Sequence, residues 1–164
     1  MNQPPEQETV AIEDQEGFRS HAYWDSIGHV WTVGFGQTGP DIGPNTVVTR
    51  QEATQWLIDD ETALTSQLFA ALPWAVNLST VRVGALIDSA YNLGLNGLLQ
   101  FATALSAMKV GNWKKAVSGF RASLWYTQVP DRVNTICYMV LLDEWAEDYL
   151  TPEQMAALES AMNT

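Results

Sequence analysis

The apolar pattern of this chain changes period once, and that change does most to limit the fold. Between Phe18 and Thr38 the apolar residues fall in short aromatic and β-branched runs, Ala22-Tyr23-Trp24 and Val30 to Phe35, interrupted by Gly28, Gly34 and Gly36. Such runs predict a small antiparallel sheet with tight turns. From Thr49 onward no strand signal competes. Thr49-Arg50-Gln51-Glu52 is a capping box that opens a helix over residues 50–72. In it Ala53, Trp56, Leu57, Leu64, Leu68 and Phe69 recur at helical spacing, while Asp59, Asp60 and Glu61 are expected to face water. Pro73 ends it. Further helices are predicted over residues 80–93, with the stripe Val83, Leu86, Ile87 and Ala90, and over 102–110, 113–123, 130–142 and 152–162. One small sheet and many helices make the expected class α+β.

The N-terminal residues 1–8 read as a frayed arm. Thr9 is expected to cap a short helix, VAIEDQE, which Gly17 terminates at C′. Glu16 then lies at a helix C-terminus, where the macrodipole disfavours negative charge and helps an acid stay protonated near neutral pH. Residues 39–46, rich in Gly and Pro, form a loop.

Composition removes several classes of function. Hydrophobic residues make up 46% of the chain and charged ones 16%, which is no profile for disorder. The single Cys137 cannot build a disulfide framework, and His21 and His29 have no metal-ligand partner at useful spacing, so neither metal nor cofactor is expected. The N-terminus shows no basic and apolar signal segment, and the apolar runs are too short to span a bilayer, so a soluble, cytoplasmically made protein is expected. The net charge of −11 is uneven: residues 1–71 hold 11 acids and 2 bases, residues 72–164 hold 8 and 6. That field repels nucleic acid.

Three side chains in the strand-rich stretch carry candidate chemistry: Glu16 before Gly17, Asp25 behind Tyr23-Trp24, and Thr32 in Thr-x-Gly-x-Gly-x-Thr. Each has an ordinary reading alone. Glu16 can be a solvated helix end, Asp25 an Asx-turn residue, Thr32 a strand residue. Their order is more specific. With Ala85-Leu86-Ile87 and Tyr91-Asn92-Leu93-Gly94, and with Ser123-x-Trp125-Tyr126-x-Gln128-x-Pro130-x-Arg132 and Trp145 downstream, the chain resembles the phage lysozyme (endolysin) family over most of its length.

That resemblance implies a lysozyme-like α+β fold. It places a sheet lobe at residues 18–48, a connecting helix at 50–72, and a helical lobe at 73–164 to which the first helix, 9–16, is added. It implies a muramidase that cuts the β-1,4 bond between N-acetylmuramic acid and N-acetylglucosamine in peptidoglycan. Glu16 would be the general acid, Asp25 would activate or orient water, and Thr32 would help hold that water. Arg132 would pair with the acid and favour its ionised form, against the effect of the helix end. Thr38, Tyr91, Ala104 and Gly119 occupy sugar-contact positions, the last two without the polar side chains the family carries there. Gln37 stands for a common His, and Gln15 and Thr135 replace an acid and a base together. The family further implies a monomer made in the host cytoplasm and released to the wall through a holin. Three rivals remain: a catalytically weak peptidoglycan-binding relative, an all-helical interaction module with no glycan role, and a lytic transglycosylase that would not need Asp25.

Overall fold

A computed structural model describes residues 3–147 and 149–164. Helix α1 (Glu6–Glu16) is followed by a two-stranded antiparallel sheet, β1 (Arg19–Asp25) and β2 (Val30–Gly34), and then by α2 (Arg50–Ala71). A 3₁₀ turn (Pro73–Asn77) leads to α3 (Thr80–Leu93), α4 (Leu95–Leu99), α5 (Ala102–Lys109), α6 (Trp113–Arg121), α7 (Leu124–Gln128), α8 (Pro130–Leu142) and α9 (Pro152–Asn163). This is the α+β, lysozyme-like class expected. Among the described residues no helix is long and apolar enough to cross a membrane. Contacts divide the chain into a first unit ending at Ala63 and a second from Leu64 to Thr164, so the division falls inside α2.

In the first unit, Ile12, Val33, Phe35, Val48, Ala53 and Leu57 are buried. The capping box is formed: the Glu52 amide donates to Thr49 Oγ1 at 3.1 Å and the Thr49 amide to Glu52 Oε2 at 2.8 Å. Donation from the Thr49 backbone, and then from its hydroxyl, holds the Glu52 carboxyl below its usual range. Gly17 ends α1 at φ 69°, its amide donating to Glu13 O at 3.0 Å.

The second unit holds the larger core, with Leu86, Ile87, Leu98, Met108, Phe120, Ile136 and Leu158 fully buried. Each such side chain contributes roughly 1.5–3 kcal/mol of apolar burial. Phe101, Phe120 and Trp125 pack ring on ring with centroids 5.4–6.1 Å apart. Four of its helices begin at side-chain caps: Ser79 accepts from the Arg82 amide, Asn112 from Lys115, Ser123 from Tyr126, and Thr151 from Gln154 in a second capping box.

Several expectations fail locally. Thr9 does not cap α1, which starts three residues earlier at Glu6 behind Pro5, whose φ of −60° is preset for a helix start. Thr9 is instead buried inside the helix and donates to Glu61 Oε2 at 2.6 Å. Glu61 therefore does not face water but is fully buried. It lies four residues beyond Leu57 and seven before Leu68, on the inner stripe of α2. Trp56, placed in that stripe from its spacing, is 37% exposed. Two five-residue helices, α4 and α7, occupy stretches read as turns or breaks, and the 3₁₀ turn continues through Pro73.

Candidate active site

Glu16 is the last residue of α1 and is exposed. Its carboxylate lies against the turn after β2. A Cβ built on Gly36, which has φ 86°, would stand 3.4 Å from Glu16 Oε2. That turn is held from below by Gln37. Its Oε1 accepts from the Phe35 amide at 2.6 Å and its Nε2 donates to Ala53 O at 3.3 Å. Gly34 makes room for the clamp, since a Cβ there would meet Gln37 Oε1 at 2.3 Å and Ala53 Cβ at 3.0 Å.

Asp25 closes β1. Its Oδ1 accepts from the Ile27 amide at 2.9 Å, the Asx-turn its spacing suggested, and Gly28 leaves space for Oδ2, which would sit 2.8 Å from any Cβ there. The turn completes through His29 at φ 52°. Register then decides which side chains meet. Tyr23 pairs with Thr32, Trp24 with Trp31, and Asp25 with Val30. Directly opposed residues share a face, as do residues two apart, and successive residues do not. Tyr23, Asp25, Val30 and Thr32 therefore share one face of the hairpin, with Asp25 and Thr32 as diagonal neighbours, roughly 7–8 Å apart between backbones. Trp24 and Trp31 take the opposite face, 5.6 Å apart edge to face. Thr32 is 4% exposed, and its hydroxyl has no hydrogen-bond partner among the described residues. A buried hydroxyl left so costs about 1–3 kcal/mol, which is unusual unless something polar comes to it.

In the second unit Arg132, on α8, donates from Nε to Asp88 Oδ1 of α3 at 2.9 Å, the two side chains being 14% and 2% exposed. Tyr91 is half-buried on α3. One residue on, Asn92 accepts from Trp125 Nε1 at 2.7 Å. Thr38 is exposed in the loop after β2. Ala104 on α5 is 2% exposed, and Gly119 on α6 faces it: a Cβ on Gly119 would stand 3.1 Å from Ala104 Cβ. Neither offers a polar side chain. The structure thus brings Glu16 to the Gly36 turn and places Asp25 beside Thr32 in the first unit, while Tyr91, Ala104, Gly119 and Arg132 belong to the second.

Two positioning residues escaped sequence reasoning. Asp88 sits in the otherwise apolar run Val83 to Ala90, and an acid inside an inward stripe was the available signal. Gln37 was seen only as a replacement, and nothing local showed that both ends of its amide would be used.

The phage lysozyme family model matches residues 13–135. The chain is 30% identical over 175 residues to the pre-baseplate central spike protein Gp5 of Enterobacteria phage T4, covering 89% of this chain and 30% of that protein. It is 30% identical over 141 residues to the peptidoglycan hydrolase gp36 of Pseudomonas phage phiKMV, covering 85% and 15%. To the endolysin of Bacillus phage B103 it is 32% identical over 110 residues, covering 66% and 41%. The chain thus spans less than half the length of each of these relatives.

Proposed function

The chain belongs to the phage lysozyme family, and from that membership we propose that it hydrolyses bacterial peptidoglycan as a muramidase, at the β-1,4 bond between N-acetylmuramic acid and N-acetylglucosamine. The observation that carries the reading is the hairpin face. There a carboxylate, Asp25, lies diagonal to a buried hydroxyl, Thr32, that has no hydrogen-bond partner among the described residues. Such a pair suits one water, oriented by the hydroxyl and deprotonated or steered by the carboxylate.

Glu16 is the proposed acid. Its proton goes to the glycosidic oxygen as the bond to the anomeric carbon breaks. The water held at Asp25 and Thr32 supplies hydroxide to that carbon and leaves its other proton with Asp25. Attack by free water from the face opposite the leaving group inverts the anomeric centre. Arg132 is the proposed supporting residue, and the buried Asp88 carboxylate fixes where its guanidinium points. Thr38 and Tyr91 contact sugars through side chains, whereas Ala104 and Gly119 allow close approach of a ring to backbone. Proton transfer and water suffice for this chemistry, with no cofactor.

The relatives suggest two settings for the same cut. The endolysin reading implies a monomer made in the host cytoplasm and released to the wall by a holin. The spike-protein relative, matched over most of this chain, favours a wall-cutting part of a larger assembly. Turbidity loss of outer-membrane-permeabilised cells tests the chemistry. Glu16→Gln is expected to lower clearing by at least about a hundredfold, the usual scale for a general acid, with the fold retained by circular dichroism. Clearing at the wild-type rate would sink the assignment. Reducing ends among the products support hydrolysis, whereas anhydromuramyl ends would identify a transglycosylase.

A further inference from the structure

The chain's three lysines, Lys109, Lys114 and Lys115, all fall on the α5–α6 turn. All three are exposed, and none pairs with a carboxylate among the described residues. Of the five arginines, by contrast, Arg50, Arg82, Arg121 and Arg132 are each matched to an acid, and Arg19 lies over the Tyr23 ring. The surroundings sharpen the contrast, since from Ser89 to Pro130 the sequence holds no Asp or Glu in a protein of net charge −11. Lys114 and Lys115 are also placed where a helix disfavours them. They are the second and third residues of α6, at the positive end of its dipole, where the Asn112 cap takes only the Lys115 amide. A bound anion would reverse that cost. Next to them lies a depression of about 340 Å³ lined by Ala102, Thr103, Ser106, Asn112 and Lys115 among others. Its lining thus includes two hydroxyl residues, an asparagine and a lysine.

We propose that this depression and its lysines bind carboxylates of the peptide stems carried by the glycan. The proposal rests on the muramidase reading and names the part of the substrate that α5 and α6 take. The same two helices carry Ala104 and Gly119, so sugar and stem would be met by one helix pair. It also explains how an acidic protein engages an anionic wall: contact is made at its one acid-free basic stretch. Charge pairs at contact distance lose less to salt than the long-range repulsion does.

The test compares wild type, the triple variant Lys109→Gln, Lys114→Gln, Lys115→Gln, and a charge-matched control, Gln51→Glu, Gln67→Glu, Asn163→Asp. Both variants move the net charge from −11 to −14. Each is given peptide-bearing peptidoglycan and the same glycan stripped of its stems by an amidase. Co-sedimentation and release of reducing ends are both measured. On the peptide-bearing wall the lysine variant should show half-saturation raised about fivefold or more, as three partly solvated ion pairs imply, with kcat within about twofold. On stripped glycan it should match wild type, and the control should match wild type on both. Equal binding of wild type and lysine variant to the peptide-bearing wall overturns the proposal. So does the same loss on stripped glycan, or a loss reproduced by the control. If wild type releases no reducing ends but still sediments with the peptide-bearing wall through its lysines, the muramidase reading fails and the stem site stands.

Discussion

Removing the guanidinium of Arg132 should cost more than removing the carboxylate it holds. In Arg132→Met the 2.9 Å contact is lost while Asp88, 2% exposed, keeps its charge away from water. Breaking a buried pair from that side costs about 3–5 kcal/mol. In Asp88→Leu the cation left behind retains 14% exposure on a long, flexible stem, so part of its hydration can be recovered. A cost of about 1–3 kcal/mol is expected. The double variant Asp88→Leu, Arg132→Met removes both charges of the pair. It should lie within about 1 kcal/mol of wild type, or above it, because desolvation offsets most of what a buried pair gains. Urea denaturation followed by far-ultraviolet circular dichroism gives the three differences, provided the slopes with denaturant agree. In heating experiments Arg132→Met should lower Tm by roughly 6–20 °C, at about 2–4 °C per kcal/mol for a chain of this size. A loss below about 1 kcal/mol for Arg132→Met, or a double variant equal to the sum of the singles, would show that the two charges do not depend on each other.

Two glycines with nearly the same backbone separate strain from space. Gly17 has φ 69° and ψ 152° with nothing within 4 Å of a built Cβ, so Gly17→Ala should cost only the penalty of that glycine-favouring backbone, about 1–3 kcal/mol. Gly34, at φ 68°, adds the clashes with Gln37 Oε1 and Ala53 Cβ, and Gly34→Ala should lose at least about 1 kcal/mol more by urea midpoint; equal losses would mean the Gln37 clamp yields freely. Burial pushes the Cys137 thiol up to about 12, only partly opposed by Arg121. The unfolded thiol ionises near its ordinary value of about 8.5. Between those limits the unfolded chain binds fewer protons, so this group makes stability fall as pH rises, by up to ~1.4 kcal/mol per unit. Cys137→Ala should flatten that alkaline slope, and a thiol reagent at pH 8 should modify the native protein only at its rate of opening. Fast modification of the native protein would contradict the burial.

What could be read from the residues was what neighbours in sequence decide. The catalytic candidates Glu16, Asp25 and Thr32 span only a helix end and one hairpin, so Gly17, the Asx-turn and period-two alternation placed them without help from the rest of the chain. The change from strand period to helix period was legible for the same reason, and so were helices opened by Ser, Thr or Asn caps. The five-residue α4 and α7 were not, even with the Ser123 cap on α7, because a helix of about one turn displays no period.

Glu61 and Asp88 show the other limit. Both are acids on inward stripes, and a sequence alone makes them solvated by default. Their burial depends on a donor supplied from elsewhere in the fold: Thr9, 52 residues away, for Glu61, and Arg132, 44 residues away, for Asp88. Gly119 follows the same logic without charge. Beside the family it reads as a lost polar contact to sugar, yet a Cβ there would press on Ala104 at 3.1 Å, so the small residue is set by how α5 meets α6. Local chemistry wrote the proposed acid and the proposed water-holding pair into the sequence. Buried acids and close-packed glycines are chosen by long-range partners, and only the packed chain shows them.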